Sequence, residues 1–447
     1  MSIDITRGPI NPDSPDYQPM LRNLQGNILK SHRRNHTVHL FLKFTGDTTK
    51  IKSWMRDFAT GKVTSAHKQL KQSTGELFCN LFLTGKGYET LGFGNEISEK
   101  LSIDDKNTMM RMEFPEGMEH YANKLHDKVE DWHPKYRNRQ IDVMILLAHN
   151  DKTALSSEAP SELSAVLDGL QGVADIWVCE RGKVLLNDAN QHIEHFGYAD
   201  GISGPRFFTI SNAPAGTDNP LNLVLTPDPF SPNEDSFGSF LVFRKLEQKI
   251  DDFEKAVCAF AKTLSDGSNM SPEEAKARAE AMVIGRFKDG TPLALSRQAG
   301  GPQHNNFDYT NDPLGDHCPV QAHIRRLNPR TSSEKEHRIA RRGIPYGHRS
   351  APNGAGLLFM CFQRSLTKQF GMLQAIWANS TERSNGFQSN IGVDPIIGQS
   401  NLSKIKSPNW RLNGQKHPFS FRDFVTVKGG EFFFAPSLPF LQNPEHI

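Results

Sequence analysis

The 447-residue chain is short of cysteine, of net charge and of long apolar runs, and each shortage removes a class of protein. Its five cysteines, Cys79, Cys179, Cys258, Cys318 and Cys361, are widely scattered and form no CxxC pair. That excludes a disulfide framework and cysteine-built zinc or iron–sulfur sites, and predicts reduced, buried thiols. Lys and Arg number 52 against 50 for Asp and Glu, a formal charge of +2, so no global excess of one sign recruits nucleic acid or acidic lipid. No apolar run approaches the roughly 18 residues of a membrane span. The best, VMILLA at 143–148 and LLFMCF at 357–362, have the length of buried strands. The N-terminal MSIDITRGPINPDSPDYQP has no apolar h-region, so no classical export signal is read and a cytoplasmic location is expected, with leaderless export or encapsulation left open. A GxSxG elbow, an HExxH pair and a P-loop are also missing, and aromatics are not interleaved with basic residues as a single-strand platform requires.

What the chain does have is alternation of strand and helix periods. At 37–44, Val38, Leu40, Leu42 and Phe44 recur at a period of two, and over 48–59 Ile51, Trp54, Met55 and Phe58 follow at helical spacing. Strands are read at 77–83 and 141–148, a helix at 159–170 and a strand at 173–179. The pattern restarts at 237–243, with Ile250, Phe253, Val257 and Phe260 on one helical face. It appears again at 357–362, with Phe370, Leu373 and Trp377 on the next helix. Gly429 and Gly430 between 424–427 and 431–435 read as a hairpin turn. These units predict an α+β fold of two β-α-β-β-α-β halves with antiparallel sheets and helices. The boundary is expected in the turn-rich stretch 203–235, and a second loop-rich stretch, 295–319, precedes a basic segment.

That segment, 323–349, carries Arg325, Arg326, Arg330, Arg338, Arg341, Arg342 and Arg349, in a protein of near-neutral charge. Guanidinium groups suit carboxylate or phosphate, so either an anionic ligand or a solvated basic surface with internal ion pairs fits. Ser332 or Ser333 followed by Glu336 predicts a helix ending before Gly343, with His337 and Arg341 on one face. Nothing in the spacing distinguishes His323. In EHFGYADGISGPRFF, 194–208, Gly197, Gly201 and Gly204 surround Asp200, which could accept a proton or cap a loop.

Three separated segments, in order, carry a resemblance. GYADG at 197–201, CPVQAHIRRLNPR at 318–330 and RRGIPYG at 341–347 are similar to motifs of the dye-decolorising peroxidase family, haem enzymes of two ferredoxin-like halves. The likeness runs from NLQGNIL at 23–29 to VKGGEFFFAPSL at 427–438. It implies an arm over 1–30, a first ferredoxin-like domain over 31–210 and a haem-binding one over 211–447. It further implies haem b with His323 as iron ligand, Asp394 as the carboxylate behind that histidine, and Arg325 and Arg330 on the propionates. Asp200 and Arg341 would be the distal acid and arginine, with Leu357 and Phe359 lining the distal side. The implied activity is oxidation of dyes and phenolic or similar aromatic reductants by hydrogen peroxide. The alternative is a haem-binding or haem-delivery protein without that turnover.

Overall fold

The computed structural model describes residues 3–101, 111–209, 217–231, 233–266, 268–328, 330–351, 354–381, 391–399 and 407–445. In the first half β1 (His36–Phe44), α1 (Thr48–Gly61), β2 (Phe78–Leu83), β3 (Val143–His149), α2 (Glu162–Asp168) and β4 (Ala174–Lys183) succeed one another. The second half repeats the order with β5 (Phe237–Gln248), α3 (Ile250–Ser265), β6 (Ile344–Gly347), β7 (Ala355–Gln363), α4 (Leu366–Ala378) and β8 (Val425–Ala435). Helix starts follow from capping residues. Asp47 accepts from the Lys50 amide ahead of α1, and Ser161 and Ser164 form a reciprocal box ahead of α2. The helix α4, capped by Ser365, is wound with the wider π spacing.

All strand pairs are antiparallel, in the order β6-β7-β5-β8-β2-β3-β1-β4. Within each half this is the ferredoxin-like arrangement, in which the first and third strands lie at the centre. The halves join through a single pair, Phe434 with Leu83, while β4 packs against β6 at the other end, closing an α+β barrel. Both faces of β1 are buried, because the two sheets face each other. Phe41 meets Phe243 of β5 at 4.7 Å and Phe433 of β8 at 6.1 Å. Among the described residues no helix is long and apolar enough to cross a membrane.

Four sequence expectations are corrected. The pair Gly429–Gly430 is not a hairpin turn. Residues Val425–Ala435 form one strand with its register shifted between Val427 and Gly429. Gly429 lies at φ +147°, where a Cβ would sit 2.4 Å from the Tyr136 ring, so the glycine serves close packing within the strand. The helix expected over 332–342 is only a 3-10 segment, Ser332–His337. The backbone is extended by Arg338, and Arg341 pairs with Cys361 in the short strand Ala340–Arg341, away from any face shared with His337. Cys79, Cys318 and Cys361 are buried, but Cys179 and Cys258 are exposed free thiols. The segment read as an arm is partly core. Met20, Leu21, Leu24 and Ile28 are wholly buried, and Gln25 donates to the carbonyls of Leu81 at 2.7 Å and Pro436 at 2.9 Å.

Candidate active site

A cavity of about 280 Å³ opens against the second sheet, where a single water needs only about 10–15 Å³. Every residue lining it lies at or beyond Glu194, so the first half contributes barrel wall rather than site. Its floor follows from the period of two. Arg244, Leu246 and Gln248 alternate on β5, flanked by Leu357 and Phe359 of β7 and Val425 and Val427 of β8.

His323 opens the short helix His323–Leu327 and lines the cavity with Ile324, Leu327 and Asn328. Its Nδ1 lies 3.0 Å from each oxygen of Asp394, and Nε2 is the ring nitrogen without a hydrogen-bond partner among the described residues. Asp394 is wholly buried, yet Oδ1 also accepts from the Ile396 and Ile397 amides at 2.9 Å each. Burial alone would raise its pKa. The His323 charge and hydrogen bond, the Ile397 amide and the Arg326 charge outweigh burial and hold the carboxyl below its ordinary value.

Asp200 occupies a loop rather than a regular element. Gly201 follows at φ +80°, a conformation that disfavours a side chain, and its amide donates to Asp200 Oδ1 at 2.7 Å. Arg341 Nη1 lies 3.3 Å from the same oxygen, with the side chains of Asp200 and Arg341 36% and 44% exposed. The pair therefore faces open space, with Oδ2 available.

Arg330 lines the cavity, but Arg325 does not. On a helix the second residue after His323 points about 200° away from it. Arg325 accordingly turns to the other side, where its Nη1 donates to Asp312 Oδ2 at 2.9 Å and its guanidinium lies 4.5 Å from the Tyr309 ring. The propionate contact expected of Arg325 is thus corrected, since its charge is already matched.

Sequence reading passed over Arg244, Gln248, Arg286 and Asn305 and gave no individual role to Glu194 or Arg338, all in the cavity wall. Glu194 accepts from the Phe196 amide at 2.9 Å, the Tyr198 amide at 3.0 Å and Gln248 Nε2 at 2.6 Å. Burial raises its pKa despite these three donors, and the charge of Asp200 adds to the rise. Arg286 is lowered to about 10 by burial and by the neighbouring Arg330 charge. Nε of Arg286, Arg330 and Arg338 is buried without a hydrogen-bond partner among the described residues. The only signal for Asn305 was its place in the loop-rich stretch 295–319.

The donor set can therefore be tested against a cofactor. Two buried guanidinium groups and a half-buried third without carboxylate partners among the described residues, an apolar floor and one imidazole nitrogen without a partner among them fit a large, flat, apolar ligand. Such a ligand would carry acidic groups at one end and a metal at its centre.

Fold and cavity together define an α+β-barrel protein with a single-sided cavity lined by basic and apolar side chains. Residues 23–171 match the family model "DyP dimeric alpha+beta barrel domain", and residues 269–393 match "Dyp-type peroxidase, C-terminal". The multifunctional dye peroxidase DyP2 of Amycolatopsis is 35% identical over 95% of this chain and 96% of its own length. The crystal structure of an Anabaena DyP-type peroxidase superposes with a TM-score of 0.84 at 33% identity, covering 98% of both chains. A deferrochelatase of Yersinia pestis is 28% identical over only 46% of this chain and 40% of its own. The chain belongs to the Dyp-type peroxidase family, whose cofactor is haem, and it is a peroxidase.

Proposed function

We propose that the cavity holds haem b and that the enzyme uses hydrogen peroxide to oxidise dyes, phenols and similar aromatic reductants. The single observation that carries the reading is the pairing of the two sides, His323 with Asp394 on one and Asp200 with Arg341 on the other. His323 Nε2 would bind the iron. Arg330, Arg286 and Arg338 would face the carboxylates, and Leu357 and Phe359 would keep the distal space apolar. When bound, the haem would store the two oxidising equivalents that hydrogen peroxide supplies, which reductants then consume one at a time.

The chain's own residues manage protons and charge. Asp394 accepts the Nδ1 proton of His323 in a hydrogen bond, fixing the tautomer and making Nε2 a stronger donor. Asp200 Oδ2 would take a proton from one oxygen of hydrogen peroxide and return it to the other, which leaves as water. Arg341 holds the carboxylate of Asp200 in place and stabilises negative charge as the O–O bond polarises.

The haem-delivery alternative has support from the deferrochelatase relative over less than half of the chain, whereas the peroxidase relatives span nearly all of it. An absorption spectrum of the haem-reconstituted protein tests the reading. A histidine-ligated Soret band is expected in the wild type and a displaced or absent one in His323→Ala. An identical band in the variant removes the ligand assignment.

A further inference from the structure

Asn305 is 4% exposed and lines the cavity in the loop that leads towards His323. Three hydrogen bonds converge on it from two parts of the site. Its Oδ1 accepts from Arg286 Nη2 and its carbonyl from Arg330 Nη1, each at 2.5 Å. Its Nδ2 donates to the carbonyl of Ile202 at 2.7 Å, just beyond Asp200 in the chain. On the other side of Asp200, the Ala199 amide donates to the carbonyl of Lys288 at 2.9 Å. The segment 199–202 thus hangs at both ends from the stretch 286–305.

The Asp200 amide donates to the carbonyl of His192 at 2.9 Å, but its side chain, 36% exposed, meets only Arg341 and the next amide among the described residues, so the far end of the loop at Ile202 rests on Asn305. A buried side-chain amide used at both ends is a firm tie, because leaving such a group unmet costs about 1–3 kcal/mol. We infer that Asn305 is a positioning residue that couples the Asp200 loop to Arg286 and Arg330. Anchoring a ligand's carboxylates on those arginines then also sets the distal acid. The identity of the ligand rests on the haem reading. The tether is a property of this chain alone.

Amide hydrogen exchange of the wild type and Asn305→Ala, each with and without haem, tests the coupling. In the wild type, haem is expected to slow exchange over 199–203 at least tenfold. In the variant, exchange there should stay within twofold with or without haem, and cyanide association with the ferric holoenzyme should slow about tenfold. The Soret maximum and haem stoichiometry are expected to stay at wild-type values. Asn305→Asp keeps the acceptor for Arg286 and removes the donor to Ile202, so it should behave alike and decides the matter if the alanine variant folds poorly. Wild-type protection of 199–203 in Asn305→Asp overturns the inference, as does loss of protection spread over the whole chain. If the wild type takes up no haem, the cofactor reading fails. Faster exchange at 199–203 in the cofactor-free variants than in the cofactor-free wild type would still support the tether, and equal exchange would overturn it.

Discussion

Asp394 and Asp200 serve one cavity from opposite surroundings. Asp394 is wholly buried and receives His323 and two amides, whereas Asp200 is 36% exposed on a loop with one arginine 3.3 Å away. The difference matches two kinds of work. A carboxylate that must stay charged and fix an imidazole gains from burial among donors, since each donor favours the ionised form. A carboxylate that must take up and release a proton needs an unoccupied oxygen and a small energy gap between its two states. On the proposed reading, the same residue type would serve as a fixture on one side and as a proton carrier on the other.

Exchanging a carboxylate for an amide on each side sharpens this contrast. Asp200→Asn is expected to slow the reaction with peroxide by roughly 10²–10⁴-fold. Its melting temperature should hardly move, because the replaced group is half exposed. Stopped-flow absorption and calorimetry read the two effects, and a large loss of stability with an unchanged rate would reverse the roles assigned. Asp394→Asn should act the other way round. Haem affinity or activity is expected to fall roughly 10–100-fold, with about 1–3 kcal/mol of stability lost as the buried donors lose the negative charge and one of their two acceptor oxygens. Arg341→Lys keeps the charge but not the planar fork, and a rate loss of about tenfold with little change in haem binding is expected. Replacement of Arg325 by Met should leave haem affinity within about twofold, as haem titration would show, because its guanidinium faces Asp312 instead of the cavity.

Acid separates the two sides more gently. The carboxyl of Asp394 is held below its ordinary value of 3.8 in the folded chain. Its stabilising contribution is therefore complete above that value and fades as pH falls through the lower, folded value. Urea unfolding between about pH 5 and pH 3 should show a shallower decline for Asp394→Asn than for the wild type. Parallel curves would mean that another group sets the acid limit.

Most of the barrel could be read from periodicity, because Val38, Leu40 and Leu42, or Phe253, Val257 and Phe260, are placed by the same spacing that folds them. The site could not. His323 has no partner within its own sequence neighbourhood, and Asp394 comes from a distant loop held by the Ala378 carbonyl, which accepts from the Asp394 amide at 2.7 Å, and by Arg326 Nη1, which donates to the Gly392 carbonyl at 2.8 Å. Family resemblance pointed to both, along with Asp200 and Arg341, but it misplaced Arg325, whose direction depends on helix phase. Gly429 misled for a related reason. A glycine that admits the Tyr136 ring looks, in sequence, like a glycine that turns a chain. Asn305 was silent because its three bonds reach Ile202, Arg286 and Arg330 from separate elements.

The strand Val425–Ala435 supplies Val425 and Val427 to the cavity, lies beside β5, and makes the one pair that joins the two halves. A chain emerging from the ribosome therefore has Asp200, His323 and Arg341 in hand 84 residues before Val425 opens the closing strand. The haem of the proposed function would then enter either an open half-barrel or the released chain. A nascent chain stalled ahead of residue 425 would distinguish the order of assembly.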